Sequence, residues 1–380
     1  MALVAEASAS PPMVADGYIG RIPVRNLWLL MLYASDLFRT QGIGMVGLED
    51  SPDELPDLVA EILAYAVERR QRRQLSRGYA ARDAVLNRVR GRIDALKTER
   101  HQLLARGLVA CRFDELTIDT PRNRFVRAAL ESICRIVSRQ DVAHRCRTLA
   151  AGMKAQGVSG KAPTRAEISA DRFGRHDADD RFVVAASKLA FDLALPTESQ
   201  GSSVLSLADR EVTWVRRLFE RAVGGFYEVV LSPRGWQVRC GGTLGWKIDQ
   251  KTPGIDQILP TMRTDVVLDH AASGRRIVID TKFTSIVTAG WHREETLRSG
   301  YIYQIYAYLR SQVGCGDALA DSASGLLLHP SVGQEVDQTA VIQRHSVRFS
   351  TVNLTASASS IRSRLLCLCN PMLFETGNFT

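Results

Sequence analysis

The chain has 380 residues, of which 45% are hydrophobic and 24% charged; this suits two globular domains with sizeable cores and excludes wholesale disorder, a collagen-like repeat or a small disulfide scaffold. Forty-nine Lys and Arg against 41 Asp and Glu leave a net charge of +8. The excess is local, because residues 69–112 carry 13 basic side chains and only three acidic ones, Asp83, Asp94 and Glu99. Such a segment faces phosphates or an acidic partner, or else forms a solvated helix face.

Residues 1–17 are rich in Ala, Ser and Pro and contain no Lys or Arg. They lack the charged start of a signal peptide and read as a disordered tail. Residues 22–37 (IPVRNLWLLMLYASDL) read as a buried helix, with Pro23 in its first turn. Residues 55–73 have apolar positions at helical spacing and a cationic end that suits the helix dipole. Residues 89–100 and 108–113 look like turn and strand material, and 123–140 and 183–193 like helices. Residues 196–203 (PTESQGSS) make the best linker candidate. The expected organisation is a mainly helical domain with some β structure over 18–195, a linker at 196–206, and a second domain over 207–380.

That second domain has a different texture. A helix over 207–230 leads to a strand at 236–240. Two β-branched runs, 265–268 and 276–282, flank the turn AASG. A helix at 300–312, a buried strand at 325–329, a strand at 346–354 and a helix at 357–368 follow, which is an α/β layer pattern. No apolar window approaches about 18 residues, so no membrane span is expected. The seven cysteines contain no CxxC, and Cys367-Leu-Cys369 has no second pair to complete a zinc site. They read as reduced thiols of a cytoplasmic protein.

The chemistry is concentrated in residues 264–282, TDVVLDHAASGRRIVIDTK. Residues two apart on a strand point to one face, so Asp280 and Lys282 project together beside the carbonyl of Thr281. A hairpin centred between Ala272 and Ser273 sets Asp265 opposite Asp280, with side chains about 5 Å apart. Carboxylates that close repel unless a cation lies between them. Oxygen donors of this kind favour Mg²⁺ or Mn²⁺. A lysine alongside orients water and stabilises charge on a phosphorane, so the set is suited to phosphodiester hydrolysis. The alternative is a solvated hairpin with a surface Asp–Lys pair, but Ile277–Ile279 is apolar enough for a central strand, where a charged pair is costly unless it has a function.

This D…D-x-K spacing resembles that of the PD-(D/E)XK nucleases, with Asp265, Asp280 and Lys282 as the motif residues. Gln304 and Tyr308, in QIYAY, resemble the QxxxY helix of RecB-like nucleases and share a helix face from which to touch nucleic acid or buttress Lys282. The blocks IPVRNLWLLMLYA, RGRIDALKTER, FDELTIDTPRNRFVRAALE, TDVVL, IVIDTKF, YIYQIYAYL and GLLLHP, in that order over residues 20–355, are together similar to the McrC family, nuclease subunits of McrBC modification-dependent (type IV) restriction systems. Thr264 stands where Pro is usual and Phe283 where Tyr is usual. The resemblance implies an Mg²⁺-dependent cytoplasmic endonuclease for modified double-stranded DNA, with the ion on Asp265, Asp280 and the Thr281 carbonyl. It also implies a McrB-like AAA+ hexameric ring that binds and hydrolyses GTP, is stimulated by this chain and docks on the N-terminal half. Arg25, Asn26, Arg90 and Arg92 lie in the matching docking blocks, and Gly91 suggests a tight turn displaying both its neighbouring guanidinium groups.

Other signals are missing. A P-loop fails at Gly160-Lys161, which is followed by Ala162 and preceded five places earlier by Ala155, so GTP falls to the partner. The seven His are scattered, with His329 expected to pack at a strand end, and neither GxSxG nor HExxH occurs. Glu220 is expected on the surface of its helix. Two alternatives to the nuclease subunit stand: a non-cleaving McrC-like activator of an AAA+ GTPase, and a free-standing RecB-like DNA repair nuclease. The intact D…D-x-K set disfavours the first, and the N-terminal blocks the second.

Overall fold

The computed structural model describes residues 18–19, 22–41, 54–164, 167–168, 171, 173–174, 177–198, 208–284, 287–289, 295–332 and 335–369. The expected tail at 1–17 and most of the expected linker, 199–206, lie outside them. Strands β1 (Tyr18–Ile19) and β2 (Ile22–Pro23) pair antiparallel and lead into helix α1 (Val24–Ala34), with Pro23 at its N-cap. Every residue of α1 except Arg25 is buried. The helix expected over 22–37 is broken at Ser35, whose hydroxyl donates to the Leu32 carbonyl at 2.7 Å and accepts from the Phe38 amide at 3.1 Å. One side chain thus closes α1 and caps α2 (Asp36–Gln41).

Residues Pro56–Ala194 form one compact unit. It holds most of α3 (Leu55–Arg72), then β3 (Gly78–Leu86), β4 (Arg92–Ile93), α4 (Ala95–Arg100), β5 (Val109–Thr117), α5 (Pro121–Ile133), α6 (Gln140–Ala155) and much of α7 (Ala178–Glu198). The three strands form a sheet in the order β3-β5-β4. Residues 95–100 are helix rather than turn or strand, because the Asp94 carboxylate accepts from the Lys97 amide and caps them. The helix expected over 123–140 ends at Ile133. The start of the expected linker, through Glu198, is still in α7.

The second unit joins Met1–Leu55 to Leu195–Thr380. It continues with α8 (Ala208–Leu231), β6 (Gln237–Cys240), β7 (Thr243–Leu244), β8 (Met262–Arg263), β9 (Val266–His270), β10 (Arg275–Thr281), β11 (Val287–Ala289) and β12 (Glu295–Leu297). It ends with α9 (Ser299–Arg310), α10 (Ala318–Asp321), β13 (Ser324–Ser331), β14 (Asp337–Ile342), β15 (His345–Asn353) and α11 (Ala358–Leu368). Six strands make a mixed sheet in the order β14-β15-β13-β10-β9-β6, with β10, β13 and β15 parallel. The central β10 is buried from Ile277 to Thr281, as its apolar run requires. Strand β14 has no counterpart in the sequence reading, because it is a polar edge strand exposed along most of its length. Met262, Val267, Val278, Ile305, Leu309, Leu327 and Phe349 pack between α9 and the sheet.

Helices α1 and α2 belong to this sheet unit, whereas the sequence reading grouped them with residues up to 195. The reason is a close helix–helix approach. A Cβ at Gly225 of α8 would lie 2.0 Å from the Tyr33 carbonyl oxygen of α1, a contact only glycine allows. Tyr33 also packs its ring 5.0 Å from Phe226. Arg221 donates to the Ala34 carbonyl at the end of α1.

Candidate active site

The hairpin of β9 and β10 has the register expected from its symmetry: Arg275 pairs with His270 and Ile279 with Val266. One residue further, Asp280 stands opposite Asp265. Asp265 spends one carboxylate oxygen on the next residue, accepting from the Thr281 amide at 2.7 Å and the Thr281 hydroxyl at 2.8 Å. Asp280 is 1% exposed, and neither of its oxygens receives a well-directed hydrogen bond. Lys282 Nζ lies 2.7 Å from Asp280 Oδ2 as an ion pair. Burial pushes the Asp280 carboxyl up to about 6, with Lys282 pulling it down and Asp265 adding to the rise.

Lys282 is itself buried, and its amide donates to the Leu328 carbonyl of β13 at 2.9 Å. Its ammonium sits 5.3 Å from the centroid of the Tyr301 ring, a cation–π contact from the first turn of α9. Tyr301 Oη is 3.3 Å from the Thr284 hydroxyl, and its ring is 5.8 Å from His329. His329 is buried with Nδ1 2.8 Å from the Thr284 carbonyl, and burial lowers its pKa to about 4, so it is neutral at pH 7. The histidine is therefore a packing residue at a strand end, but one that packs beside the lysine.

Gln304 donates to Tyr308 Oη, and Tyr308 in turn donates to the Arg263 carbonyl at 2.7 Å. Gln304 and Tyr308 therefore steady the strand that enters Asp265, while the same helix meets Lys282 through Tyr301. Glu220 departs from the surface role expected of it. It is half-buried on α8, with its pKa raised by burial and by the Asp265 charge, while Arg216, Arg263 and Lys282 pull it down. It lies within electrostatic reach of Asp265. Phe219 beside it meets the Phe283 ring edge-on at 6.2 Å, which fixes α8 against the segment after Lys282. Tyr301 was missed altogether; its spacing of three from Gln304 was the signal available. Among the described residues, no group of three or more His, Cys, Asp or Glu is arranged to hold a metal ion.

A model of the family described as "McrBC 5-methylcytosine restriction system component" matches residues 11–320. The chain belongs to this McrBC family. A relative from Escherichia coli strain K12, the "Type IV methyl-directed restriction enzyme EcoKMcrBC", is 24% identical over 348 residues, which is 91% of this chain and 96% of that one. The chain also resembles a solved assembly of Thermococcus gammatolerans McrB AAA+ hexamers with bound McrC, at 14% identity and a TM-score of 0.38, over 83% of this chain and 68% of that one.

In this McrBC component the expected docking residues fall in both units. Arg25 is exposed on α1. Asn26 is 1% exposed and donates to the carbonyls of Leu354 at 2.7 Å and Ala356 at 3.0 Å. It is a structural tie and offers a partner nothing. Arg90 lies 4.1 Å from the Phe113 ring centroid and 3.7 Å from Glu115, and Arg92 is exposed on β4. Gly91 has φ of 69° and close contact with the Arg112 carbonyl, so the turn between the two arginines requires glycine. Much of the positive charge of residues 69–112 is matched: Arg69 and Arg73 pair with Asp179, Arg70 with Asp180, Arg82 with Glu115 and Arg112 with Asp83. The seven cysteines are free, and no described helix is long and apolar enough to cross a membrane.

Proposed function

We propose that this McrBC component is the DNA-cutting subunit of its system. It is an Mg²⁺- or Mn²⁺-dependent endonuclease of the PD-(D/E)XK type, built on the sheet unit. It cuts double-stranded DNA carrying 5-methylcytosine together with a McrB-like AAA+ hexamer in the cytoplasm, and it stimulates the GTPase of that ring. The observation that carries this reading is the register that sets Asp280 opposite Asp265 with Lys282 on Asp280. The methyl-directed relative is in keeping with it.

The residues fit a divalent cation. The two buried Asp280 oxygens, of which Oδ2 meets the Lys282 ammonium, form with a second carboxylate and the Thr281 carbonyl an all-oxygen donor set whose repulsion a cation relieves. Asp265, Asp280 and that carbonyl would hold the ion, and Glu220 stands close enough to contribute charge. When bound, the ion supplies Lewis-acid charge at the scissile phosphate. Lys282, oriented by Asp280 and the Tyr301 face, presents its ammonium to the non-bridging oxygens and to the attacking water. Glu220, whose pKa is raised by burial and by the Asp265 charge, is suited to take a proton from that water.

The test is reconstitution with the McrB-like GTPase on methylated and unmethylated duplexes. Lys282→Ala and Asp280→Asn should each lower cutting by roughly 100-fold or more while stimulation of GTP hydrolysis persists. A wild-type complex that stimulates GTP hydrolysis yet leaves methylated DNA intact would favour the non-cleaving activator instead.

A further inference from the structure

Some arginines of the sheet unit are matched by a carboxylate. Arg239 and Arg276 share Asp269, and Arg348 and Arg364 share Asp337. Arg216, Arg263 and Arg298 are among those that are not. All three are exposed, and among the described residues none forms an ion pair. Each is also close in the chain to a residue of the site. Arg216 is one helical turn before Glu220 on α8, and so on the same face. Arg263 ends β8, two residues before Asp265. Arg298 is the N-cap of α9, and its guanidinium lies 6.0 Å from the ring of Tyr301, whose face carries Lys282. Three elements thus each deliver one unmatched guanidinium to the rim of one buried acidic centre.

We propose that Arg216, Arg263 and Arg298 form a phosphate clamp that holds the backbone of the strand to be cut across Asp265, Asp280 and Lys282. Exposed guanidinium groups near carboxylates that they do not pair with stay available for bidentate contacts to an anionic ligand. Their electrostatic reach into the site supports this: Arg216 favours the charged forms of both Glu220 and Asp280, and Arg263 that of Glu220. A polyanion crossing the centre would otherwise be repelled by its three carboxylates, so cations on the rim answer a need the acidic centre creates. The clamp rests on the nuclease reading and names how that site seats its substrate.

The experiment uses the full chain in an Asp280→Asn background, titrated with a 30-base-pair duplex between 50 and 200 mM salt. The parent should bind with log K falling as salt rises. Each single change, Arg216→Ala, Arg263→Ala and Arg298→Ala, should weaken binding and lower the slope by about 0.9, the value for one lost phosphate contact. Arginine-to-lysine versions should keep the slope. Binding and slope unchanged in all three alanine variants overturn the clamp, and so does a parent chain with no salt-dependent binding. A drop in melting temperature with DNA binding intact overturns it as well, because the arginines then only offset the acidic centre. Cutting by the complex with an unchanged Asp280 is measured in parallel. If it cuts while the alanine variants bind as the parent does, the clamp alone fails; if it never cuts, the nuclease reading fails.

Discussion

Asn26 shows how much one buried polar side chain does here. Its amide closes two backbone carbonyls 328 and 330 residues away. Asn26→Ala leaves both short of a donor in a buried place, and should lower stability by about 1–3 kcal/mol. Chemical denaturation of the full chain reads this directly, and a change within a few tenths of a kcal/mol would mean the two carbonyls find other partners. Glu220 is the opposite case, a side chain to which the proposed function gives a chemical role. Glu220→Gln keeps its shape and removes the charge beside Asp265, so the fold should hold while cutting falls by about 10–100-fold, the scale typical of groups that support a metal site. Equal cutting rates over pH 6–9 would remove Glu220 from the site.

At the level of elements, two contacts hold the sheet unit. The first is the approach of α1 to α8 at Gly225. A methyl group there meets the Tyr33 backbone and cannot be relieved by a rotamer change, so Gly225→Ala should cost about 1–3 kcal/mol or more by overpacking. The melting temperature measures it. The second is the lashing of β14, β15 and α11 by Asp337, which accepts two bonds of 2.6 Å from Arg348 and one of 2.9 Å from Arg364. Burial alone would raise the Asp337 pKa, but the two guanidinium groups outweigh it and hold the carboxyl below its ordinary 3.8. A carboxyl depressed in the folded state stabilises at pH above its unfolded value and loses that contribution as pH falls through the folded one. Asp337→Asn should therefore be less stable than wild type at pH 7, with the gap closing below about pH 4. A gap that stays constant from pH 7 to pH 3 would assign the effect to packing.

Over the whole molecule, the chain leaves the sheet unit at Leu55 and returns to it at Leu195. The sheet unit therefore needs its distant N-terminal helices. Residues 207–380 alone should fail to unfold cooperatively, because α8 would expose the apolar face that buries Phe226 and Gly225 against α1. Replacing residues 56–194 with a long Gly/Ser linker should restore a cooperative transition in calorimetry. If both versions melt alike, α1 is dispensable and the first unit boundary was better drawn near 195, as the sequence alone suggested.

Several of these features were legible in the sequence for local reasons. Strand periodicity and the symmetry of a tight turn determined the β9–β10 register, and with it the meeting of Asp265, Asp280 and Lys282. Apolar periodicity located α1, α3, α8, α9 and α11 to within a few residues. A run of independent blocks carried the resemblance to the McrC family. What escaped was set by contacts between residues far apart in the chain. The allegiance of α1 depends on Gly225 and on carbonyls at Leu354 and Ala356, which no local pattern announces. Strand β14 is polar because it lies at an edge, and only the sheet creates that edge. Glu220 and Tyr301 carry no motif, and their places beside Asp265 and Lys282 arise because α8 and α9 pack where they do. Periodicity reports what one segment buries; only the tertiary structure decides what it is buried against.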